Sequence, residues 1–265
     1  MVRTVTSTLT AQVLAPSTVE LQVAVAGPAP AGERLEVTLD GAALQVTELS
    51  TDVGGRLHVV EPGAGRLNVS YRAEVDGASG PAPVQPLDRT AFLRPSRYAQ
   101  SDTLAAVAAA ELGGSTDPAS LVRDVAAWVG GRLAYVPGSS RVTDGAVDTL
   151  LAGAGVCRDY AHLTLALLRA RDVPARLVSV YAPGLEPMDF HAVVEALVDG
   201  AWYVVDATLL APRQSLVRIA TGRDAADTAF MSSYGGALRL DEMRVMATVD
   251  GELPVDDLDR LVQLG

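Results

Sequence analysis

Over residues 2–75 apolar positions alternate with others. Val19, Leu21, Val23 and Val25 recur at every second place, as do Leu35, Val37 and Leu39, then Leu57 and Val59, then Leu67, Val69 and Tyr71. Period two is the spacing of a strand with one buried face. Turn formers separate the runs: Gly27-Pro28, Asp40-Gly41, Gly54-Gly55 and Pro62-Gly63. Short strands at this spacing predict a small antiparallel β-sandwich or meander. No cluster of reactive side chains falls within it, and His58, on one of these strands, reads as an ordinary, partly exposed residue. The region reads as a scaffold.

The pattern changes after a stretch rich in Pro and Gly, residues 76–91. The chain accordingly divides into a β domain at 1–78, a linker at 79–91 and a second domain at 92–265. There the spacing turns helical. Asp102 is placed to cap a helix through about Leu112, closed by Gly113-Gly114. Asp117 caps the next, with Pro118 at its first position. Leu121, Val125 and Trp128 mark its buried face, and Gly130-Gly131 its end. Residues 132–152 read as a surface loop with a short helical piece near Val147–Leu151.

Gly153 and Gly155 then precede Cys157, and Ala161, Leu165 and Leu168 follow at helical spacing. Cys157 therefore falls in the first turn of a helix ending near Ala170. The unpaired N–H groups and the positive end of the dipole there favour a thiolate. Taken alone, Cys157 reads equally as a small buried hydrophobe. After a strand at Ala175–Tyr181 and a loop at 182–189 come two strand-like runs, Phe190–Val198 and Ala201–Thr208. Asp199-Gly200 between them is a two-residue hairpin signal. With Val198 opposite Ala201, His191 faces Thr208 and Val193 faces Asp206. His191 and Asp206 then share one face as diagonal neighbours, with Cα atoms about 7–8 Å apart. A slip of one residue would separate them.

These three residues supply the parts of thiol acyl transfer. A thiolate attacks an acyl carbon, a histidine moves the proton, and a carboxylate on the far ring nitrogen fixes the tautomer. Backbone N–H groups of the Cys157 helix are available to the developing oxyanion.

Composition narrows the function further. Among 265 residues there is one Cys and there are three His, so neither a disulfide framework nor a Cys/His metal cluster is expected. No cofactor-binding loop is found. The formal charge of −11 argues against nucleic acid as a partner, since phosphate contacts need a basic footprint. Apolar runs fall short of a membrane span, and Met1-Val-Arg-Thr-Val-Thr lacks the apolar core of a secretory signal. A reducing cytoplasm is the expected compartment.

Gly155-Val-Cys157-Arg-Asp-Tyr-Ala-His162-Leu resembles the nucleophile motif of the bacterial transglutaminase-like superfamily. Asp189-Phe-His191-Ala resembles its histidine motif, and Trp202-Tyr-Val-Val-Asp206-Ala-Thr its aspartate motif. Leu93-Arg-Pro-Ser-Arg-Tyr98 and Gly222-Arg-Asp-Ala-Ala-Asp-Thr228 fit the same branch. The resemblance runs from about residue 92 to 235. It covers the N-terminal β region only loosely. It implies a papain-like core of helices on an antiparallel sheet, so that with the N-terminal antiparallel β-sandwich-like domain read from the strand pattern the chain is expected to be α+β. It also implies a thiol acyl-transfer site at Cys157, His191 and Asp206, without naming the acyl group; the expected substrate is a peptide, isopeptide or glutamine side-chain amide. Hydrolysis, as in a cysteine protease or amidase, is favoured over cross-linking, and a catalytically silent binding or assembly module is the alternative. The family often carries Trp two residues after the histidine, where this chain has Val193. His162 reads as a hydrogen-bonding residue of the core. Asp159 and Tyr160 read as capping the helix or lining the groove, and Gly222-Arg-Asp as shaping the loop beside the site, with Arg223 and Asp224 as weaker substrate-binding candidates.

Overall fold

Alternation in the first third of the chain builds seven strands: β1 (Val2–Val13), β2 (Thr18–Leu21), β3 (Arg34–Leu39), β4 (Ala42–Ala43), β5 (Thr47–Ser50), β6 (Arg56–Val60) and β7 (Gly65–Asp76). They belong to a computed structural model that describes residues 1–77, 80–115 and 117–264. β6 departs from its apolar pattern. Its buried residues are Arg56, His58 and Val60, while Leu57 and Val59 are half-buried. The inward face is polar because its charges are matched: Arg56 pairs with Glu33 and Glu48, each at 2.7 Å. His58 Nε2 lies 3.0 Å from Glu48 Oε2. His58 is therefore a buried member of a network and not the partly exposed residue its strand pattern implies. Burial pushes its pKa down, against the pull of Glu48.

The middle of the chain carries α1 (Asp88–Leu93), α2 (Ala105–Leu112), α3 (Pro118–Arg132), β8 (Ala134–Tyr135), α4 (Ala146–Ala152), β9 (Ala154–Gly155) and α5 (Cys157–Ala170). Asp102 does not cap α2. It accepts only the Thr103 N–H, and the helix starts at Ala105 behind Leu104. Asp117 does cap α3, accepting the Ser120 N–H at 2.8 Å beside Pro118. That helix runs through Gly130-Gly131 to Arg132. Gly130 lies so close to the Ala207 carbonyl that a Cβ would stand 2.8 Å from its oxygen, so this glycine serves close packing and not termination.

Helix α5 lies on a four-stranded antiparallel sheet of β10 (Ala175–Tyr181), β11 (Phe190–Val198), β12 (Ala201–Val205) and β13 (Val217–Gly222), ordered β12-β11-β10-β13. Leu163, Leu165, Leu167 and Leu168 of α5 share one buried cluster with Leu177, Val194 and Val198 of the sheet and Val125 and Val129 of α3. The predicted hairpin is present: Val198 faces Ala201, and Asp199 and Gly200 both take positive φ, 48° and 78°.

The last strands, β14 (Met231–Tyr234) and β15 (Leu238–Val249), leave this unit. β14 pairs with β2, and β15 with β1 along nearly its whole length. The two N-terminal sheets, ordered β15-β1-β7-β3-β4 and β14-β2-β6-β5, thus each draw an edge strand from beyond residue 230. Residues 231–249, which the sequence division leaves with the second domain, pack in the N-terminal layers. The layers also share a core with the other sheet, in which Tyr181, Val217 and Ile219 join Val5, Leu9 and Leu21. The architecture is α+β. Among the described residues no helix is long and apolar enough to cross a membrane.

Candidate active site

The loop before α5 sets the thiol. Gly153 closes α4 at φ 65°, and Gly155 passes so close to Asp159 that a Cβ there would lie 2.6 Å from the Asp159 Cβ. Asp159 fills this space because Oδ2 accepts the Val156 N–H at 2.8 Å, closing the N-terminus of α5. Cys157, the residue after Val156, stands at the first helical position and is partly exposed. Arg158 ties the preceding loop to the helix through the Ser140 hydroxyl and the Arg141 carbonyl.

The hairpin brings the other two side chains together. His191 Nε2 and Asp206 Oδ2 are 2.8 Å apart, with His191 1% and Asp206 4% exposed. Asp206 Oδ1 accepts both the Thr208 N–H, at 2.9 Å, and the Thr208 hydroxyl, at 2.7 Å. The carboxylate is thereby fixed from both sides. Burial raises its pKa, but the His191 charge and hydrogen bond, with those of Thr208, outweigh it and hold Asp206 below the usual carboxylate range. Burial likewise disfavours charge on His191, yet Asp206 and the adjoining Cys157 thiol bring its pKa up to about 10. Nδ1 of the same ring is buried and makes no hydrogen bond of normal geometry. With Nε2 taken by Asp206, Nδ1 is the ring atom left for Cys157, and catalytic hydrogen bonds of this kind often form fully only with substrate.

Of the other sequence candidates none is left free to bind at this point. Asp159 is the buried helix cap. Tyr160 is buried and donates its hydroxyl to the Leu133 carbonyl at 2.7 Å. Arg223 forms an exposed ion pair with Asp227. Asp224 is buried, accepting the Tyr98 and Ala226 N–H groups at 2.9 Å. Asp159 thus takes the capping role, Tyr160 and Asp224 bond within the core, and Arg223 stays at the surface in its ion pair. The stretches 93–98 and 222–228 do meet, but around His162. Its Nε2 accepts the Ala225 N–H at 3.2 Å, and its ring stacks on Tyr98 at 5.1 Å. Burial lowers the His162 pKa to about 3. Val193, where the family often has Trp, is fully buried in a small cluster with Val178, Val180 and Leu216.

Two residues at the site escaped the sequence reading. Thr208 orients Asp206, and it lay within the aspartate motif already quoted. Tyr135 stands on β8, paired in parallel with β9 directly before Cys157. A two-residue strand inside the connection at residues 132–152 carries no periodicity by which to find it.

Residues 106–207, which include Cys157, His191 and Asp206, match the family described as the Transglutaminase-like superfamily. A solved structure described as "a Putative Cysteine Protease from Cytophaga hutchinsonii" is 34% identical, covering 98% of this chain and 96% of that one, at a TM-score of 0.88. The chain belongs to the transglutaminase-like superfamily. Among curated members, the uncharacterised protein ML0607 of Mycobacterium leprae is 30% identical over 148 residues, 52% of each chain. The uncharacterised protein Rv2569c of Mycobacterium tuberculosis is 39% identical over 61 residues, 23% of this chain and 19% of its own. The chain thus spans about half the length, or less, of these curated relatives. The superfamily assignment accords with a helix-borne cysteine beside an antiparallel sheet.

Proposed function

We propose that the protein is a cysteine acyl-transfer enzyme acting on an amide of a peptide or protein, with Cys157 as nucleophile, His191 as proton carrier and Asp206 as its orienting carboxylate. One observation carries the reading: His191 is held by Asp206 through Nε2, which leaves Nδ1 for the thiol at the head of α5. In this arrangement Cys157 gives its proton to Nδ1, and the resulting imidazolium is supported by Asp206. Thiolate attack forms the C–S bond, the imidazolium protonates the leaving nitrogen, and the C–N bond breaks to release an amine. Water, deprotonated by His191, then cleaves the thioester. Likeness along the whole chain to a protein described as "a Putative Cysteine Protease" supports water as the acceptor. Peptide, isopeptide and glutamine amides all fit this chemistry.

The test uses the chain's single cysteine. Iodoacetamide alkylation is followed across pH for the native protein and His191→Ala. The expected result is fast alkylation near pH 6–7, below the free-thiol value of about 8.5, lost in the variant. Equal rates, or an unreactive native thiol, would overturn the reading in favour of a silent binding module. Product analysis with a competing amine decides between hydrolysis and transfer.

A further inference from the structure

Acyl transfer at Cys157 develops negative charge on the former carbonyl oxygen, which needs at least two aimed donors to be well held. The head of α5 offers fewer than its N-terminus implies. The Asp159 and Tyr160 N–H groups both bond to the Val156 carbonyl, at 2.9 and 3.1 Å. The Cys157 and Arg158 N–H groups carry no such bond, and the one beside Sγ, that of Cys157, would gain from a side-chain donor on another element.

β8 is placed to supply one. Tyr135 faces Gly155 in the parallel pairing of β8 and β9, two residues ahead of Cys157. The pairing is fixed by bonds from the Ala134 N–H to the Gly153 carbonyl, at 2.9 Å, and from the Val136 N–H to the Gly155 carbonyl, at 3.0 Å. The Tyr135 ring leans on Tyr160 with centroids 5.9 Å apart, which directs it along the first turn of α5. Cys157, Asp189 and Asp206 lie near enough to act electrostatically on the phenol, which puts the Tyr135 side chain at the same end of α5 as the thiol. At 41% exposure Tyr135 is open to a bound substrate.

We propose that the Tyr135 hydroxyl is a catalytic residue of this enzyme, the second donor beside the Cys157 N–H to the oxyanion of the tetrahedral intermediate. The inference rests on the acyl-transfer reading above. When Sγ attacks, the C–S bond forms and the carbonyl π pair moves to oxygen. That oxygen accepts from the Cys157 N–H and the Tyr135 O–H, neither of which transfers its proton. The pair returns to re-form C=O as the C–N bond breaks and His191 protonates the nitrogen. Partial burial, with the negative charge of Cys157, Asp189 and Asp206 nearby, pushes the phenol up to about 12 against the influence of the Cys157 N–H. The hydroxyl therefore stays protonated through neutral and mildly alkaline pH.

Two reactions of the same thiol separate this role from others. Iodoacetamide is attacked at a saturated carbon, where no oxyanion forms. p-Nitrophenyl acetate is attacked at a carbonyl, and acetyl-Cys157 is read by mass and by p-nitrophenolate release. In Tyr135→Phe, acetylation is expected to slow about 10- to 100-fold, with alkylation within about twofold of native. Unchanged alkylation also reports an intact thiol environment. Equal acetylation of native and variant overturns the inference and leaves the acyl-transfer reading standing. Equal slowing of both reactions overturns it in favour of an effect on the thiol. A native protein that alkylates but does not acetylate overturns the underlying reading and the inference with it.

Discussion

His191 and Asp206 meet at 2.8 Å beyond the last paired residues of a hairpin, with Thr208 bonded to the far oxygen of the carboxylate. The imidazole therefore has one nitrogen anchored and one free to exchange a proton. Asp206→Asn keeps the shape but removes the charge that supports the imidazolium. We expect acyl transfer to fall by about 100-fold or more. The alkaline limb of the rate, set in the native protein by a His191 pKa of about 10, should move to lower pH. The pH dependence of kcat/KM checks this, and an unmoved limb would assign it to another group.

The same pair bears on stability, with opposite signs at the two ends of the pH scale. His191 has a raised folded pKa, so its contribution is complete below the unfolded value of about 6.5 and is lost as pH rises through about 10. Asp206 has a lowered folded pKa, so its contribution is present above about 4 and is lost as pH falls through the folded value. Asp206→Ala should lower the urea midpoint most at neutral pH and converge on native above pH 10. Parallel curves at every pH would place the loss in packing instead.

His162 works in the reverse direction. Its folded pKa, lowered by burial to about 3, means that the unfolded chain takes up a proton near pH 6.5 which the native protein refuses. Stability is thus present above about 6.5 and is lost between there and about 3, by up to about 1.4 kcal/mol per pH unit. His162→Gln keeps an acceptor for the Ala225 N–H and removes the titration. Its denaturation midpoint should depend less on pH between 6.5 and 4, with His58 and Glu195 still contributing because their folded pKa values are also lowered.

What the chain discloses before its coordinates follows from range of interaction. The Cys157 helix, the Asp199-Gly200 turn and the His191–Asp206 face rest on periodicity and on a two-residue turn, both local, and the hairpin places them as the pattern requires. The pairing of residues 231–249 with β1 and β2 is between strands far apart in sequence, and no local pattern encodes it. The inward face of β6 was hidden for a different reason. Arg56 and His58 are buried because Glu33 and Glu48 meet them, and such compensation shows only in space. Asp159 fits both a helix cap and a groove carboxylate in sequence, and only its bond to the Val156 N–H selects the cap.

Glu195 is fully buried between Arg176 and Arg218, each at 2.6 Å, and Arg176 lies 3.9 Å over the Trp202 ring. The two guanidiniums outweigh burial and hold the Glu195 pKa down. Glu195→Ala would leave two cations in the sheet with no carboxylate between them, at a cost of about 3–5 kcal/mol. The urea midpoint measures it, and a loss near zero would show that the arginines find other partners.

Tyr181 joins the two halves of the chain. Its hydroxyl donates to the Val23 carbonyl at 2.7 Å and meets the Ser7 hydroxyl at 2.9 Å, while its ring stacks on Tyr71 and packs against Phe190. Burial pushes the phenol pKa well above its ordinary value. With β14 and β15 also crossing between the halves, neither has a complete core without the other. Calorimetry should therefore show one cooperative unfolding transition, not two. Tyr181→Phe leaves the Val23 carbonyl without this donor and should cost about 1–3 kcal/mol, lowering the midpoint while keeping a single transition. Separation into two transitions in the native protein would mean that the sheets fold independently and that the shared core contributes little to their coupling.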